Sequence, residues 1–162
     1  MHMSTSIQMR TLKLLAGLAI TVLSACAGPG KDSGPAMITA ANIDRLVKHE
    51  WLLKNITVDS QRVIMHVDAT QTLQFAPDGR VMGYGGVNRF GGTYKFSPEG
   101  VLSFPPPGLV STRMAGPPEI MDKERLFLKG LAKCTRVIVA KEGMQMQSED
   151  GATVLVFEPI GG

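Results

Sequence analysis

The chain has 162 residues, with 17 basic and 14 acidic side chains and a formal net charge of +3. No cluster of Lys and Arg interleaved with aromatic residues occurs along the sequence, so the charge does not indicate binding to nucleic acid. The length is enough for one domain built around one hydrophobic core.

The first 25 residues have the features of a secretory signal peptide. Arg10 and Lys13 precede an apolar run at residues 14–23 that is too short to span a bilayer stably. Removal of residues 1–25 leaves 137 residues and a net charge of +1, because Arg10 and Lys13 leave with the signal. The mature chain is therefore close to neutral.

The apolar run ends in Leu23-Ser24-Ala25-Cys26, which is similar to the lipobox of bacterial lipoproteins. Small residues before the cysteine fit the processing peptidase, and the thiol accepts a diacylglycerol. Several acyl chains give anchoring that one chain does not. Because Ala27 rather than an aspartate follows, we expect lipidated Cys26 to anchor the chain in the outer membrane, facing the periplasm. Ordinary secretion with a free Cys26 is the alternative.

Residues 26–41 are rich in Gly, Pro, Ser and Ala, which predicts a lipidated flexible tether before a folded domain at residues 42–162. A flexible chain of this length has a root-mean-square reach of roughly 20 Å. Asn42 is predicted to cap a short helix. The apolar face of that helix would consist of Ile43, Leu46 and Val47.

Short strands separated by turn residues are predicted for most of the domain. Trp51, the only tryptophan, lies near the start of the first strand and is expected to fill the core rather than stack on a ligand. Residues 63–67 are either a further strand or an irregular insertion. Pro77-Asp78-Gly79 predicts the turn of a hairpin between 70–75 and 80–84. Later strands are expected at 92–96, 101–104, 135–140, 144–147 and 153–157.

Gly116-Pro117-Pro118 predicts the start of the main helix, because proline is tolerated in the first helical turn. The apolar stripe of this helix would consist of Ile120, Met121, Phe127, Leu128 and Leu131. Together the patterns predict an α+β fold, with a curved antiparallel β-sheet or partly closed β-barrel and one covering helix.

The most unusual stretch is residues 83–96, in which five glycines lie among aromatic and β-branched residues. This mixture favours two strands that meet at a tight corner. A phosphate-binding loop is the alternative, but the dinucleotide fingerprint requires glycine where this chain has Asn88, and a helix must follow it. Asn88 is expected to serve the corner, either through side-chain hydrogen bonds or by adopting a positive φ.

Two motifs in and after this stretch resemble the signature of the META domain, the fold unit of heat-shock lipoproteins of the HslJ type. Residues 86–94 are similar to G-C-N-R-F-x-G-x-Y, and residues 112–116 are similar to T-R-M-A-C. The resemblance runs from about Trp51 to the C-terminus and implies a similar fold. The matching positions that we expect to be structurally important are Gly86, Asn88, Arg89, Gly92, Tyr94, Thr112 and Arg113.

The chain departs from this family pattern at two positions. Val87 and Gly116 stand where the pattern has cysteines. Both cysteines are therefore missing together, and the resemblance implies that this chain lacks one disulfide cross-link. We expect Val87 to replace that cross-link by apolar packing, and the proline pair at 117–118 to stiffen the start of the helix. The family is poorly characterised biochemically, so the resemblance predicts a fold rather than an activity.

The residue types that carry catalysis or metal binding do not form a matching pattern in the sequence. His49 and His66 lie outside any zinc-binding motif. Cys134 precedes an apolar strand, where a small buried thiol is commoner than a nucleophile. We therefore expect no enzymatic activity, no cofactor and no metal site.

Glu124 interrupts the apolar stripe of the main helix, so its carboxylate is expected to point towards the sheet and to need a partner. Arg89 and Arg113 are the candidates for an ion pair that locks the helix to the sheet. Alternatively, the carboxylate anchors a ligand at the mouth of the barrel. If the pair is buried, removal of this side chain should cost roughly 3 to 5 kcal/mol of stability.

The lipobox-like sequence and the absence of a catalytic pattern predict a non-catalytic, lipid-anchored envelope protein. The resemblance to the META domain implies a role in envelope maintenance or stress response, through contact with another envelope protein. The alternative is a carrier of a small apolar ligand, because a curved sheet closed by a helix can enclose a pocket. An exposed apolar patch would favour a protein partner. A carrier would instead have an internal cavity lined by Met82, Tyr84, Tyr94 and Phe96.

Overall fold

The computed structural model describes residues 34–63 and 71–160, and short strands make up most of this part of the chain. Two helices are present in it, α1 (Asp44–Val47) and α2 (Pro118–Lys133), and a 3₁₀ turn at Ala40–Asn42 precedes α1. The strands are β1 (Ala36–Met37), β2 (Glu50–Val58), β3 (Gln61–Val63), β4 (Thr72–Phe75), β5 (Arg80–Tyr84), β6 (Arg89–Thr93), β7 (Lys95–Phe96), β8 (Leu102–Ser103), β9 (Val110–Ser111), β10 (Arg136–Ala140), β11 (Gly143–Gln147) and β12 (Val154–Ile160).

Ten of the described strands form one antiparallel sheet in the order β1-β10-β11-β12-β2-β4-β5-β6-β9, with β3 also paired to β2. The strands β7 and β8 form a separate two-stranded sheet. In the described part of the chain, the end strands β1 and β9 do not pair with each other, so the sheet is curved but not closed. The fold is α+β, which confirms the predicted class.

Strand β2 lies at the centre of the sheet and carries the tryptophan. It pairs with β12 on one side and with β3 and β4 on the other. Trp51 is 1% exposed, so its predicted place in the core is confirmed. Its indole Nε1 donates a hydrogen bond of 3.0 Å to the carbonyl oxygen of Leu46, which fixes α1 against the start of β2.

Helix α2 packs on the sheet through an aromatic cluster. The ring of Phe127 meets Phe90 and Phe157 edge-on, with centroid distances of 5.7 and 6.3 Å. Gly130 lets the helix approach closely, because a Cβ at that position would come within 3.2 to 3.3 Å of side chains on β2 and β12. Met121, predicted as part of the apolar stripe, is instead exposed, and the buried face consists of Glu124, Phe127, Gly130 and Leu131.

The ordered domain begins earlier than the composition predicts. Ala36 and Met37 form β1 against β10, and Ile38 is completely buried. The end of the predicted tether at 26–41 therefore belongs to the fold, because its apolar residues complete the core at that edge of the sheet. The predicted signal peptide and Cys26 lie outside the described residues.

The residue that caps the first helical segment is Thr39 rather than Asn42. Thr39 is the N-cap of the 3₁₀ turn, and its Oγ1 accepts a hydrogen bond from the backbone N–H of Ala41. The Oδ1 atom of Asn42 accepts from the backbone N–H of Thr39 at 2.7 Å, which completes a capping box. Leu46 of α1 is fully buried, and Ile43 and Val47 pack partly buried against the core.

The hairpin of β4 and β5 is confirmed, whereas the strand predicted at 92–96 is divided between two sheets. Tyr94 separates β6 from β7. Its backbone N–H donates to the carbonyl of Gly79 and its hydroxyl donates to the carbonyl of Ala76, and both acceptors lie in the turn between β4 and β5.

Strand β3 covers the beginning of the segment predicted at 63–67 as a strand or an irregular insertion, and residues 64–70 lie outside the described part of the chain. Within the described residues, no helix has both the length and the apolar composition needed to cross a bilayer.

Candidate functional site: the glycine corner and its outer groove

The turn between β5 and β6 is the corner predicted from the glycine-rich stretch. The backbone N–H of Gly85 donates to the carbonyl of Asn88 at 2.7 Å and closes the turn. Gly86 has a φ of +120°, a conformation that residues with a side chain rarely adopt. A Cβ on Gly85 would lie 2.6 Å from Cγ of Glu124, so the approach of α2 leaves no room for a side chain there.

Glu124 reaches into this corner from α2 and is only 6% exposed. Its Oε2 atom accepts hydrogen bonds from the backbone N–H groups of Val87 at 2.9 Å and Asn88 at 2.6 Å. Its Oε1 atom accepts from Nδ2 of Asn88 at 2.7 Å. These three donors replace the water that the carboxylate loses on burial. The contact therefore fastens the helix to the corner of the sheet.

The ion pair predicted for Glu124 is not formed. Neither Arg89 nor Arg113 makes a salt bridge with it among the described residues. Both arginines are exposed. Arg89 precedes the buried Phe90 on β6, and successive side chains of a strand point to opposite faces, so its guanidinium is directed away from the helix.

Asn88 joins the corner to the segment that leads into α2. Its Oδ1 atom accepts hydrogen bonds from Oγ1 of Thr112 at 2.8 Å and from the backbone N–H of Met114 at 2.7 Å. Its Nδ2 atom donates to the carbonyl of Met114 at 3.3 Å as well as to Glu124. All four hydrogen-bonding positions of the amide are thus used. Asn88 serves the corner through these side-chain bonds and does not adopt a positive φ.

Val87 packs against the place where Gly116 has no side chain. A Cβ on Gly116 would lie 2.6 Å from Cγ2 of Val87 and 3.3 Å from its Cβ. The two positions that correspond to cysteines in the resembling pattern are therefore neighbours in space. Val87 is 9% exposed, so apolar packing holds this junction in the present chain, as predicted.

Gln71 is a buried residue at this site that the sequence analysis missed. It is completely buried, and its side-chain amide has no hydrogen-bond partner among the described residues. Its Nε2 atom lies 3.3 Å from the position that a Cβ of Gly86 would take. No local pattern marks such a residue, because its burial depends on how β4, α2 and the corner meet.

An apolar groove of about 540 Å³ lies on the outer side of the corner. The hydroxyl of Tyr84 donates to the carbonyl of Gly86 at 2.6 Å, which holds the tyrosine ring in the groove wall. The residues that line this outer groove are Tyr84, Val87, Arg89, Thr112 and Met114.

Exposed apolar side chains extend this surface along the sheet. Met82 and Val110 both pair in register with Gly91, one on each side of it, and both are exposed. Because Gly91 has no side chain, these two residues belong to one continuous surface. We call the outer groove together with Met82 and Val110 the outer apolar face.

The four residues predicted to line an internal cavity lie on two sides of the sheet. Met82 and Tyr84 point outward, since they alternate along β5 with the buried Val81. Tyr94 points into the core, where its ring meets Phe75 edge-on at 5.0 Å, and Phe96 packs partly buried against the same core. The structure therefore does not bring these four side chains together.

The remaining candidates for chemistry do not converge in the described residues. Burial raises the pKa of the Cys134 thiol to about 12, and its Sγ atom donates to the carbonyl of Gly130 at 3.3 Å. The thiolate is the nucleophilic form, so this cysteine is a structural residue. His49 packs edge-on against Trp51, and His66 lies outside the described part. No group of three His, Cys, Asp or Glu side chains that could hold a metal occurs in residues 34–63 and 71–160.

The curved antiparallel sheet, with α2 fastened over its glycine corner through Glu124, defines an α+β domain. The family model of the META domain matches residues 44–159. This match covers most of the chain, and the protein belongs to the META domain family.

Solved structures support the same fold. An NMR structure of a protein from Burkholderia xenovorans is 25% identical, with a TM-score of 0.62, and the match covers 83% of this chain and 98% of that one. A crystal structure of a DUF4847 family protein from Bacteroides vulgatus is 11% identical, with a TM-score of 0.51 and coverage of 72% and 95%. At that identity the second match shows the fold alone. No curated protein matches the sequence.

Replacement of Glu124 by alanine should destabilise the domain by about 3 kcal/mol, because buried N–H groups of the corner lose their acceptor. Glu124→Gln should cost less, since its amide oxygen can still accept from the two backbone N–H groups. Urea unfolding measures both. Arg125→Ala, at an exposed neighbouring position, is the control and should change stability by less than about 0.5 kcal/mol. Equal effects of Glu124→Ala and Arg125→Ala would contradict this role for the carboxylate.

The double substitution Val87→Cys and Gly116→Cys should form a disulfide, because the two Cβ positions are already adjacent. Closing this loop should stabilise the domain by about 3 kcal/mol, less the loss of valine packing. The melting temperature with and without a reductant measures the gain within one variant. Cys134 should not compete, since its thiol is buried and protonated. A variant that stays reduced in oxidising buffer would show that the two positions are not aligned.

Proposed function

We propose that this META-family protein is a non-catalytic, lipid-anchored protein of the cell envelope that binds another envelope protein. By family resemblance, its role is envelope maintenance or stress response. The observation that carries the proposal is the outer apolar face, which lies beside the last strand of the sheet.

The outer apolar face has the composition of a binding surface rather than of an ordinary exterior. Val110 and Met114 are each 57% exposed, and Met82 is 38% exposed. Methionine, tyrosine and arginine are enriched in protein interfaces, and Tyr84 and Arg89 lie within this same face. Contiguous exposed apolar patches on soluble proteins, when they are large, commonly mark interaction sites.

The face is also rigid, which favours tight binding. Asn88 holds the backbone of Met114 by two hydrogen bonds, and Tyr84 is fixed to the corner through its hydroxyl. A surface that is ordered before binding loses little conformational entropy when a partner docks. The buried hydrogen bonds of the glycine corner therefore hold the outer apolar face in one conformation.

The free edge of the main sheet at β9 favours an extended segment of the partner protein as the part that binds. Strand β9 ends the order of the main sheet, and no further described strand pairs with its outer side. An extended peptide can add to such an edge through main-chain hydrogen bonds, with alternate side chains entering adjacent pockets. Apolar side chains would fit the outer groove. Acidic residues flanking them would complement Arg89 and Arg113, which are both exposed.

The lipid attachment rests on the sequence around Cys26. The domain begins by Ala36, so only the nine residues 27–35 lie between it and that cysteine. A lipid at Cys26 would hold the domain at the membrane surface, where other envelope proteins are found. The carrier alternative receives less support, because the four residues expected to line its cavity are divided between two sides of the sheet.

The mature N-terminal peptide should begin at Cys26 and carry a diacylglyceryl group and an amide-linked acyl chain. Mass spectrometry of the protein from its own host measures both modifications. Cys26→Ala should block the attachment and leave the chain unprocessed. An unmodified Cys26, or a mature chain that begins elsewhere, would overturn the lipid anchor.

A photo-crosslinking residue at Val110 should capture one envelope protein in intact cells, because this side chain lies at the free edge beside the outer groove. The same residue at Val101, which is 45% exposed on another part of the domain, is the matched control and should not. Met114→Glu should abolish capture at Val110 by placing a charge in the groove. Identical adducts at both positions, or capture unaffected by Met114→Glu, would contradict the proposed surface.

A further inference from the structure

A second cavity, of about 370 Å³, lies between α1, the start of β2 and the end of β10. Three cationic side chains line it, from Arg45, Lys48 and Lys141, and His49 and Trp51 form part of its wall. Among the residues that the structure describes, none that lines it carries a carboxylate. The cavity is thus a basic pocket near the β1 end of the sheet order, away from the strands that form the outer apolar face.

Arg45 is held in place while most of its donors stay available. Its Nη2 atom donates to the carbonyl oxygens of Gly34 at 2.6 Å and Val139 at 3.2 Å. A guanidinium has five N–H donors. The donors on Nε and Nη1 have no hydrogen-bond partner among the described residues. The side chain is therefore oriented in advance for a ligand that accepts several hydrogen bonds.

The lysines of the cavity add positive charge that is not engaged in a salt bridge among the described residues. Lys48 and Lys141 are exposed and form no salt bridge with a described residue, whereas three lysines elsewhere do. Like charges around one cavity repel each other, and an anion placed between them relieves that repulsion. The paired lysines are Lys54, Lys129 and Lys133.

The geometry points to a binding site for a phosphate group, supplied either by a phospholipid headgroup or by free phosphate. Arginine matches the planar arrangement of phosphate oxygens, and the two lysines supply further charge. The cavity is large enough for an esterified phosphate as well as for the free ion.

The headgroup is the favoured source, and this part of the inference rests on the proposed lipid at Cys26. Gly34, whose carbonyl binds Arg45, follows Cys26 by only eight residues. Eight residues can span at most about 28 Å. The basic cavity is therefore within reach of the headgroups of the membrane in which Cys26 would be anchored, and a headgroup bound there would orient the domain.

Fluorescence of Trp51 provides a direct test, because it is the only tryptophan and belongs to the wall of the cavity. The protein, purified from its host in a nonionic detergent, is titrated with inorganic phosphate and separately with glycerophosphoglycerol, a deacylated phospholipid headgroup. Ionic strength is held constant with chloride, since screening alone weakens any surface attraction. We expect a saturable change with at least one of the two ligands.

The double variant Lys48→Gln and Lys141→Gln should weaken this binding at least fivefold. The control pair Lys95→Gln and Lys123→Gln removes the same charge elsewhere and should change the affinity by less than twofold. Arg45 is left intact because it also supports the backbone at Gly34. Tighter binding of glycerophosphoglycerol identifies a headgroup site, and tighter binding of inorganic phosphate identifies a site for the free ion.

No saturable change with either ligand, or equal weakening by the two double variants, would overturn the phosphate site. The lipid anchor is tested separately by the mass of the N-terminal peptide, so the two proposals can fail independently. An unmodified Cys26 together with saturable binding would remove the anchor and leave a site for free phosphate.

Discussion

The structure depends on one buried carboxylate. Glu124 brings a negative charge into a junction where two backbone N–H groups of the glycine corner point inward and have no strand partner. The contact satisfies both partners, because the buried N–H groups of the corner need a hydrogen-bond acceptor and the buried carboxylate needs donors. The glycines follow from this contact, since a side chain at Gly85 would occupy the space of Glu124. The position of α2 over the sheet follows as well.

Asn88 extends this constraint to the protein surface. It bonds to Glu124 on one side and to the backbone of Met114 on the other, so the segment before α2 is held by the same network. Val87 and Gly116 pack beside it without a covalent link. The outer groove is consequently built on a junction in which the carboxylate of Glu124 and the amide of Asn88 are hydrogen-bonded on the inner side, while the outer side is apolar.

The elements that follow from local chemistry are those that the sequence predicts well. The turn of the β4–β5 hairpin is one example, because Asp78 accepts a hydrogen bond from the N–H of Arg80 two residues later, an interaction internal to the turn. The start of α2 is another, since proline at the first helical turn acts locally. Trp51 could be placed in the core because a large aromatic side chain on a strand has few other stable positions.

The parts that could not be predicted are those that depend on distant segments. The sequence suggests an arginine partner for Glu124, because charged side chains can be read from a sequence. Two of its actual donors are backbone N–H groups, which every residue except proline possesses, so no sequence pattern marks them. Strand β1 has only two residues, too few to show a period, and exists because β10 offers an edge. The basic cavity likewise requires Arg45 and Lys141, far apart in the chain, to meet.

The central position of β2 determines when this fold can be completed. Its longest partner is β12, and the paired residues, from Thr57 with Val154 to Glu50 with Ile160, are about 100 positions apart in the chain. Pairings between such distant segments form slowly, because closing a long loop costs conformational entropy before any contact between the segments can compensate for it. The centre of the sheet therefore stays open until the last strand has emerged. If the predicted signal peptide directs export of an unfolded chain, this topology delays folding until β12 has been delivered.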